Sequence, residues 1–285
     1  MTAPRTAVIT AVRGRHQHLR LQQAGIAAAA PGIDLRCLVA IDDAAIRSIA
    51  SVGTEVIDCP ATGTGLPMAR ARNVGARWAL EHDAELLIFL DVDCVPDAAM
   101  IGRYIDAHQH VRDALLAGPV TYLPPSPGGY RLAELPTLVN PHPARPNPPG
   151  GAVMREWNYD LFWSLSFAVS SLTWQRIGGF CEDYVGYGGE DTDFAAVAAL
   201  RGVPLYWVGG AHAYHQFHPV SDPPVEHLHA IVANARTFRR RWGRWPMIGW
   251  LDAFERAGLI RLCINEIALL PHGHGDPDQS ASAPS

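Results

Sequence analysis

Residues 86–90, Leu-Leu-Ile-Phe-Leu, are an unbroken apolar run that stops at two carboxylates one residue apart, Asp91 and Asp93. A short run without polar alternation fits a strand covered on both faces, the kind found in a layered α/β sheet. That requirement excludes an open, one-sided sheet for this part of the chain. It also sets the two carboxylates at the carboxyl end of a strand, where open α/β sheets collect their ligands. If the chain stays extended, Asp91 and Asp93 project to one side and Val92 returns to the core. Such a pair can hold a divalent cation, although Asp-x-Asp at a strand end also forms turns and simple caps.

The flanking sequence supplies the covering layers. Ala7–Val12 reads as a first strand and Arg15–Ala30 as a helix closed by Pro31-Gly32. Leu35–Ile41 is a strand ending at Asp42-Asp43, and Glu55–Cys59 a shorter one. A helix follows from Pro67 to His82, with proline suited to its first turn. Beyond Asp93 come a helix over Asp97–His110 and a strand over Leu115–Val120. Nine prolines then fall within residues 121–155, which marks a long surface excursion. Regular structure returns with a strand at Leu165–Ser170, helices at Thr173–Ile177 and Asp191–Arg201, and a strand at Leu205–Val208. Two or three helices fill Pro224–Leu270, and the small, polar residues from Gly273 on read as a disordered tail. Strands alternating with helices imply right-handed crossovers and a mostly parallel sheet.

Composition removes several mechanisms. All 23 basic residues are arginine, so neither a Schiff-base lysine nor a phosphate-binding loop lysine is available. Phosphate contacts must come from arginine, backbone amides or metal. The five cysteines, at 37, 59, 94, 181 and 263, form no Cys-x-x-Cys pair, which argues against a disulfide framework or a cysteine zinc site. A net charge of −5 gives no global attraction for nucleic acid or anionic membrane. Neither a signal-peptide core nor an apolar stretch of membrane-spanning length is present in the sequence, which makes the cytoplasm the default location. At 285 residues and 48% apolar content, one α/β domain with elaborations is favoured over two.

Three further clusters carry chemistry. Tyr187-Gly188-Gly189-Glu190-Asp191-Thr192-Asp193 opens a helix directly after a glycine pair. One acid suffices for capping; several beside glycines suit a ligand that must approach the backbone. The helix dipole favours an ionised Asp191, which could accept a proton from an attacking hydroxyl. After the strand at 205–208, His212, His215 and His218 recur every third residue with no helix start signal. One of them could join a carboxylate around a metal such as Mn²⁺; the place of the cluster after a strand raises His215 above the others and leaves His212 and His218 open. Arg13 and Arg15 stand where the first strand yields to the first helix, in position to grip a diphosphate. A basic, aromatic stretch at 235–246 reads as a helix and turn framing a cleft, with Trp242 and Trp245 partly packed; single-stranded nucleic acid is the competing reading.

Four segments match a known pattern in order: Arg13-x-Arg15-x-x-His18-Leu19, Ala69-Arg70-x-x-Asn73-Val74-Gly75, Asp91-Val92-Asp93 and Gly186-Tyr187-Gly188-Gly189-Glu190-Asp191. On these the chain resembles the inverting, metal-dependent glycosyltransferases of the GT-A fold, of family 2 type, and within them the beta-1,4-galactosyltransferase group. The resemblance implies an α/β GT-A fold with a mostly parallel central sheet flanked by helices and a helical C-terminal extension. It implies one domain over 1–271, with a nucleotide-binding half (1–120), a donor-sugar and acceptor half (121–223) and the extension (224–271), before a tail at 272–285.

The implied roles follow position by position. Arg13, Arg15, Asp42, Arg70 and Asp91 would contact the nucleotide, and Asp93 with His215 would hold Mn²⁺ or Mg²⁺. Glu190, Gly189, Tyr187 and Trp163 would meet the donor sugar or acceptor, and Asp191 would be the general base. Where the galactosyltransferase pattern carries a further acid after Glu-Asp, this chain has Thr192, so the family's acceptor does not transfer. The implied partners are a nucleotide-diphosphate sugar, expected to be a UDP-sugar, and a glycan, lipid-linked or small-molecule acceptor, without nucleic acid. A lipid-linked acceptor would require peripheral contact with the inner face of the membrane. Competing readings are a retaining transferase, a nucleotidyltransferase, for which no glycine-rich basic loop is found, and a non-catalytic nucleotide-sugar binder.

Overall fold

The computed structural model describes residues 3–61, 63 and 65–271; the expected tail lies outside them. In chain order the elements are β1 (Thr6–Val12), α1 (His16–Ala28), β2 (Leu35–Ala40), α2 (Ile46–Ile49), β3 (Glu55–Asp58), α3 (Met68–Glu81), β4 (Leu86–Leu90), β5 (Cys94–Pro96) and α4 (Met100–His110). Then follow β6 (Leu115–Ala117), β7 (Val120–Tyr122), β8 (Val153–Glu156), β9 (Ser166–Ser170), α5 (Ser171–Ile177), α6 (Glu190–Leu200), β10 (Leu205–Val208) and β11 (Ala213–His215). The last are α7 (Leu228–Trp242), α8 (Ile248–Arg256), β12 (Ile260–Leu262) and β13 (Ile267–Leu269).

Eight strands form the main sheet in the order β3-β2-β1-β4-β9-β6-β10-β8. All five residues of β4 are buried, as its apolar run requires. Leu87 and Phe89 face a layer made by α3, α5 and α6, while Leu86, Ile88 and Leu90 face α1 and α4. Phe89 stacks on Phe167 and Trp174 at 4.6 and 4.9 Å between ring centres. Emptying that position would cost roughly 3–5 kcal/mol. On the α3 side, Gly75 allows the helix to lie on β1, because a Cβ there would stand 2.4 Å from Ile9.

Several local expectations are corrected. The sheet is mixed, since β9 and β8 run antiparallel to their neighbours. The single strand expected over 115–120 is broken at Gly118-Pro119, where the chain passes so close to Ala211 that a Cβ would lie 2.0 Å from its carbonyl oxygen. β6 stays in the main sheet, and β7 joins β11 and β5 in a second one. Asp91-Val92-Asp93 is not extended: the Cys94 amide donates to the Asp91 carbonyl at 2.9 Å, closing a tight turn between β4 and β5. The C-terminal extension is helical only through α8 and ends in the β12–β13 hairpin. Its own apolar cluster joins Leu228, Ile231, Val232, Leu251, Phe254, Ile260 and Ile267.

Candidate active site

The second sheet assembles the first half of the site. β11 pairs with β5 so that His215 stands opposite Cys94, and with β7 so that it stands opposite Tyr122. His215 therefore lies beside the turn that carries Asp93. The amide of Gln216 donates to the Asp93 carbonyl at 2.8 Å, which holds the chain as it leaves β11 and returns His218 to the same carboxylate. His215 Nε2 and His218 Nε2 stand 3.5 and 3.6 Å from the two Asp93 oxygens. One ligand atom from each of Asp93, His215 and His218 fits within 4.8 Å of the others.

The donor set suits a metal chemically as well. Burial holds both imidazoles below the usual histidine range, which keeps them neutral as a metal ligand must be. His212 does not belong to the set: it is buried, bonds the Thr121 hydroxyl at 2.8 Å, and is pushed by burial to about 4. Arg15, not Arg13, reaches this half, with Nη1 3.1 Å from Asp93 Oδ2. Gly14, Arg15 and Asp42 all have positive φ, and Asp43 ties that bend together by accepting from the Gly14 amide and the His16 ring, each at 2.8 Å. The His16 bond leads the contacts that hold the Asp43 carboxyl low. Arg13 and Asp42 are exposed, Asp42 accepting from the Ala61 amide, and among the described residues Arg70 donates to the Pro60 carbonyl at 3.5 Å.

α6 brings the second half. Gly189 precedes it at φ 94°, and a Cβ there would meet the Tyr184 ring at 3.2 Å, so no other residue fits this approach without strain. Glu190 and Asp191 form its first turn. Burial, then the neighbouring Glu190 charge, lifts the Asp191 carboxyl to about 7, against the Thr192 amide that donates to it at 2.7 Å. The helix dipole therefore does not keep Asp191 fully ionised at neutral pH, contrary to the expectation from its position alone.

Arg72 joins the halves. It is 5% exposed on α3, with Nη2 3.0 Å from Asp91 Oδ1 and Nη1 3.2 Å from Glu190 Oε1. Burial works against its charge, but the two carboxylates hold its pKa above the ordinary arginine range. Burial pushes Asp91 up, and Arg72 opposes that. The Arg-x-x-Asn motif is thus explained by its neighbours: Arg72 links the carboxylates, and Asn73 clamps both the amide and carbonyl of Phe180 at 2.9 Å ahead of the glycine loop.

The remaining ring positions lie around these groups. Tyr187 is partly exposed, but one face is taken by the His227 ring at 4.4 Å, with Trp250 5.7 Å away. Trp163 stands edge-on to His142 at 5.1 Å; His142 meets Tyr122, which meets His215 at 4.6 Å. The basic, aromatic stretch turns inward. Asp193, almost fully buried, accepts from Arg241 Nε and Trp242 Nε1, both at 2.7 Å, and from Tyr184. Arg244 forks onto Asp160, and Arg239 bonds Asn265 and covers Trp245. These arginines fasten the C-terminal extension internally and to the rest of the chain.

Solved structures share this fold. GalNAc-T7, crystallised with UDP, GalNAc and Mn²⁺, superposes with a TM-score of 0.55 at 12% identity, covering 90% of this chain and 58% of that one. TarS of S. aureus, residues 1–349, gives 0.55 at 11% identity, covering 81% and 64%. The chain has the GT-A glycosyltransferase fold. Residues 152–219 match a family model described as the N-terminal domain of galactosyltransferase, a stretch that holds Trp163, Glu190, Asp191, His215 and His218. Validoxylamine A glucosyltransferases from two subspecies of Streptomyces hygroscopicus, jinggangensis (strain 5008) and limoneus, are each 29% identical over 171 residues, half of this chain. The chain covers 37% and 34% of those proteins, about a third of their length. No helix among the described residues is long and apolar enough to cross a membrane.

Proposed function

We propose that the chain is a metal-dependent, inverting glycosyltransferase that moves a hexose or N-acetylhexosamine from a UDP-sugar to an acceptor hydroxyl. The observation that carries this reading is a metal-fitting triad whose Asp93 lies on the same turn as Asp91, which one buried guanidinium, Arg72, ties to Glu190 at the helix start. Mn²⁺ or Mg²⁺ held by Asp93, His215 and His218 would supply positive charge against the leaving diphosphate. Arg15, a third exposed, exchanges Asp93 for a phosphate oxygen and adds a forked donor. Arg72 fixes the Glu190 carboxylate toward the sugar hydroxyls, and Asp191 takes the proton of the acceptor hydroxyl. A carboxyl raised to about 7 suits that role, because a general base is most effective near the working pH. Attack from the Asp191 side inverts the anomeric carbon in one displacement. Tyr187 and Trp250 border the acceptor side.

The names of the curated relatives make a glucosyl donor and a small-molecule acceptor the first pair to assay. Donor hydrolysis with Mn²⁺ across a panel of UDP-sugars tests the reading without knowledge of the acceptor. An inverted product anomer by NMR supports it, and a retained anomer replaces inversion by retention. Binding of UDP-sugars with neither hydrolysis nor transfer would leave only a nucleotide-sugar binder.

A further inference from the structure

Among the described residues, Arg145 is a cation without a counter-ion. It lies in the proline-rich excursion, is 5% exposed, and has its guanidinium between two indoles, 4.6 Å from Trp207 and 5.2 Å from Trp163. Nη2 approaches the Gly118 carbonyl at 3.5 Å, while Nε and Nη1 have no hydrogen-bond partner. These are two of the three buried side-chain polar atoms left unbonded among the described residues. No described carboxylate lies within ion-pair distance. Burial pulls its pKa down to about 10. Indole faces offset part of the cost of burying the charge, but they do not receive the N–H groups at its rim.

The position links this cation to the active site through aromatic rings. Trp163, His142 and Tyr122 form a chain of ring contacts from Arg145 to His215 of the triad. A buried, unpaired polar group so placed calls for a ligand atom.

We propose that Arg145 is a donor-recognition residue whose unbonded Nε and Nη1 groups take an oxyanion of the nucleotide sugar: a carboxylate on the transferred sugar, or a phosphate oxygen beside it. The inference rests on the transferase reading and deepens it. Both nitrogens are buried, so the oxyanion reaches them by displacing the partly exposed Trp163, whose ring covers the guanidinium.

Calorimetry with Mn²⁺ on the full chain and its Arg145→Met variant, using UDP, UDP-glucose and UDP-glucuronate as probes, separates the sources. If the sugar carries the oxyanion, the unmodified chain binds UDP-glucuronate about tenfold tighter than UDP-glucose, and Arg145→Met removes that preference without changing UDP affinity. If a phosphate does, the variant weakens all three by a similar factor of about ten. Arg145→Gln replaces the methionine variant if the latter does not melt cooperatively. Equal binding of all three probes by variant and unmodified chain overturns the proposal alone. A loss confined to UDP-glucose, without uronate preference, overturns the oxyanion in favour of a neutral hydroxyl. Failure of the unmodified chain to bind any probe overturns the transferase reading, and this inference with it.

Discussion

Replacing Arg72 by glutamine should destabilise the chain by about 3 kcal/mol at pH 7.5. The side chain is 5% exposed and bonds two carboxylates at 3.0 and 3.2 Å, so its loss strands Asp91 and Glu190 together. Breaking a buried pair costs roughly 3–5 kcal/mol, and the low end applies because the two carboxylates are partly exposed and can relax toward water. Asp91 and Glu190 retain 24% and 13% of their side-chain exposure. Acid should relieve the variant. Without Arg72 the Asp91 carboxyl titrates higher folded than unfolded, so its contribution to stability is fully present below the unfolded value and lost as pH climbs through the folded one. For Asp91 that value is already about 6 with Arg72 in place. The deficit should therefore be clearly smaller at pH 5 than at pH 7.5. Urea unfolding of the unmodified chain, Arg72→Gln, Glu190→Gln and the double variant gives the cycle. Removing one stranded carboxylate should recover about 1 kcal/mol of the Arg72→Gln loss. A deficit below about 1 kcal/mol, or one equal at both pH values, would refute the picture of Arg72 as a charge clamp.

Other outcomes follow from the same geometry. Asp191→Asn should lower kcat by about 10²–10⁴ with donor affinity nearly unchanged, read by transfer assay and calorimetry; equal losses would make Asp191 structural. kcat/KM should rise with pH through about 7, since the neutral Asp191 acid cannot take a proton. The same raised carboxyl gives up stability as pH rises, so Asp191→Asn should melt higher than the unmodified chain at pH 8 and less so at pH 5. Excess EDTA should abolish turnover; His215→Ala and His218→Ala should each weaken Mn²⁺ binding by more than about tenfold, while His212→Gln leaves it unchanged. Asp193→Asn, which leaves Arg241 half paired, should cost about 3–5 kcal/mol in unfolding experiments while the folded variant still binds donor.

What could be read without coordinates depended on whether a local signal carried it. Arg70 and Arg72 stand two apart on α3, and the motif alone favours Arg70. Helical periodicity favours the other: Ala69, Arg72, Ala76 and Ala79 share the buried stripe, so a cation at 72 must be paired inside the fold. That signal was present and outweighed by the motif. For Asp193 there was none, because α6 is apolar on most sides and its partners Arg241 and Trp242 lie 48 and 49 residues on. The same limit applies to Asp93. Whether the chain after Leu90 stays extended or turns is decided by β11, which arrives more than a hundred residues later and pairs with β5. That pairing, and not the spacing of the histidines, admits His215 and His218 and excludes His212. Residue type at a strand or helix end is a local statement about chemistry. Which charge neutralises which is a statement about register, and register is settled only when distant strands meet.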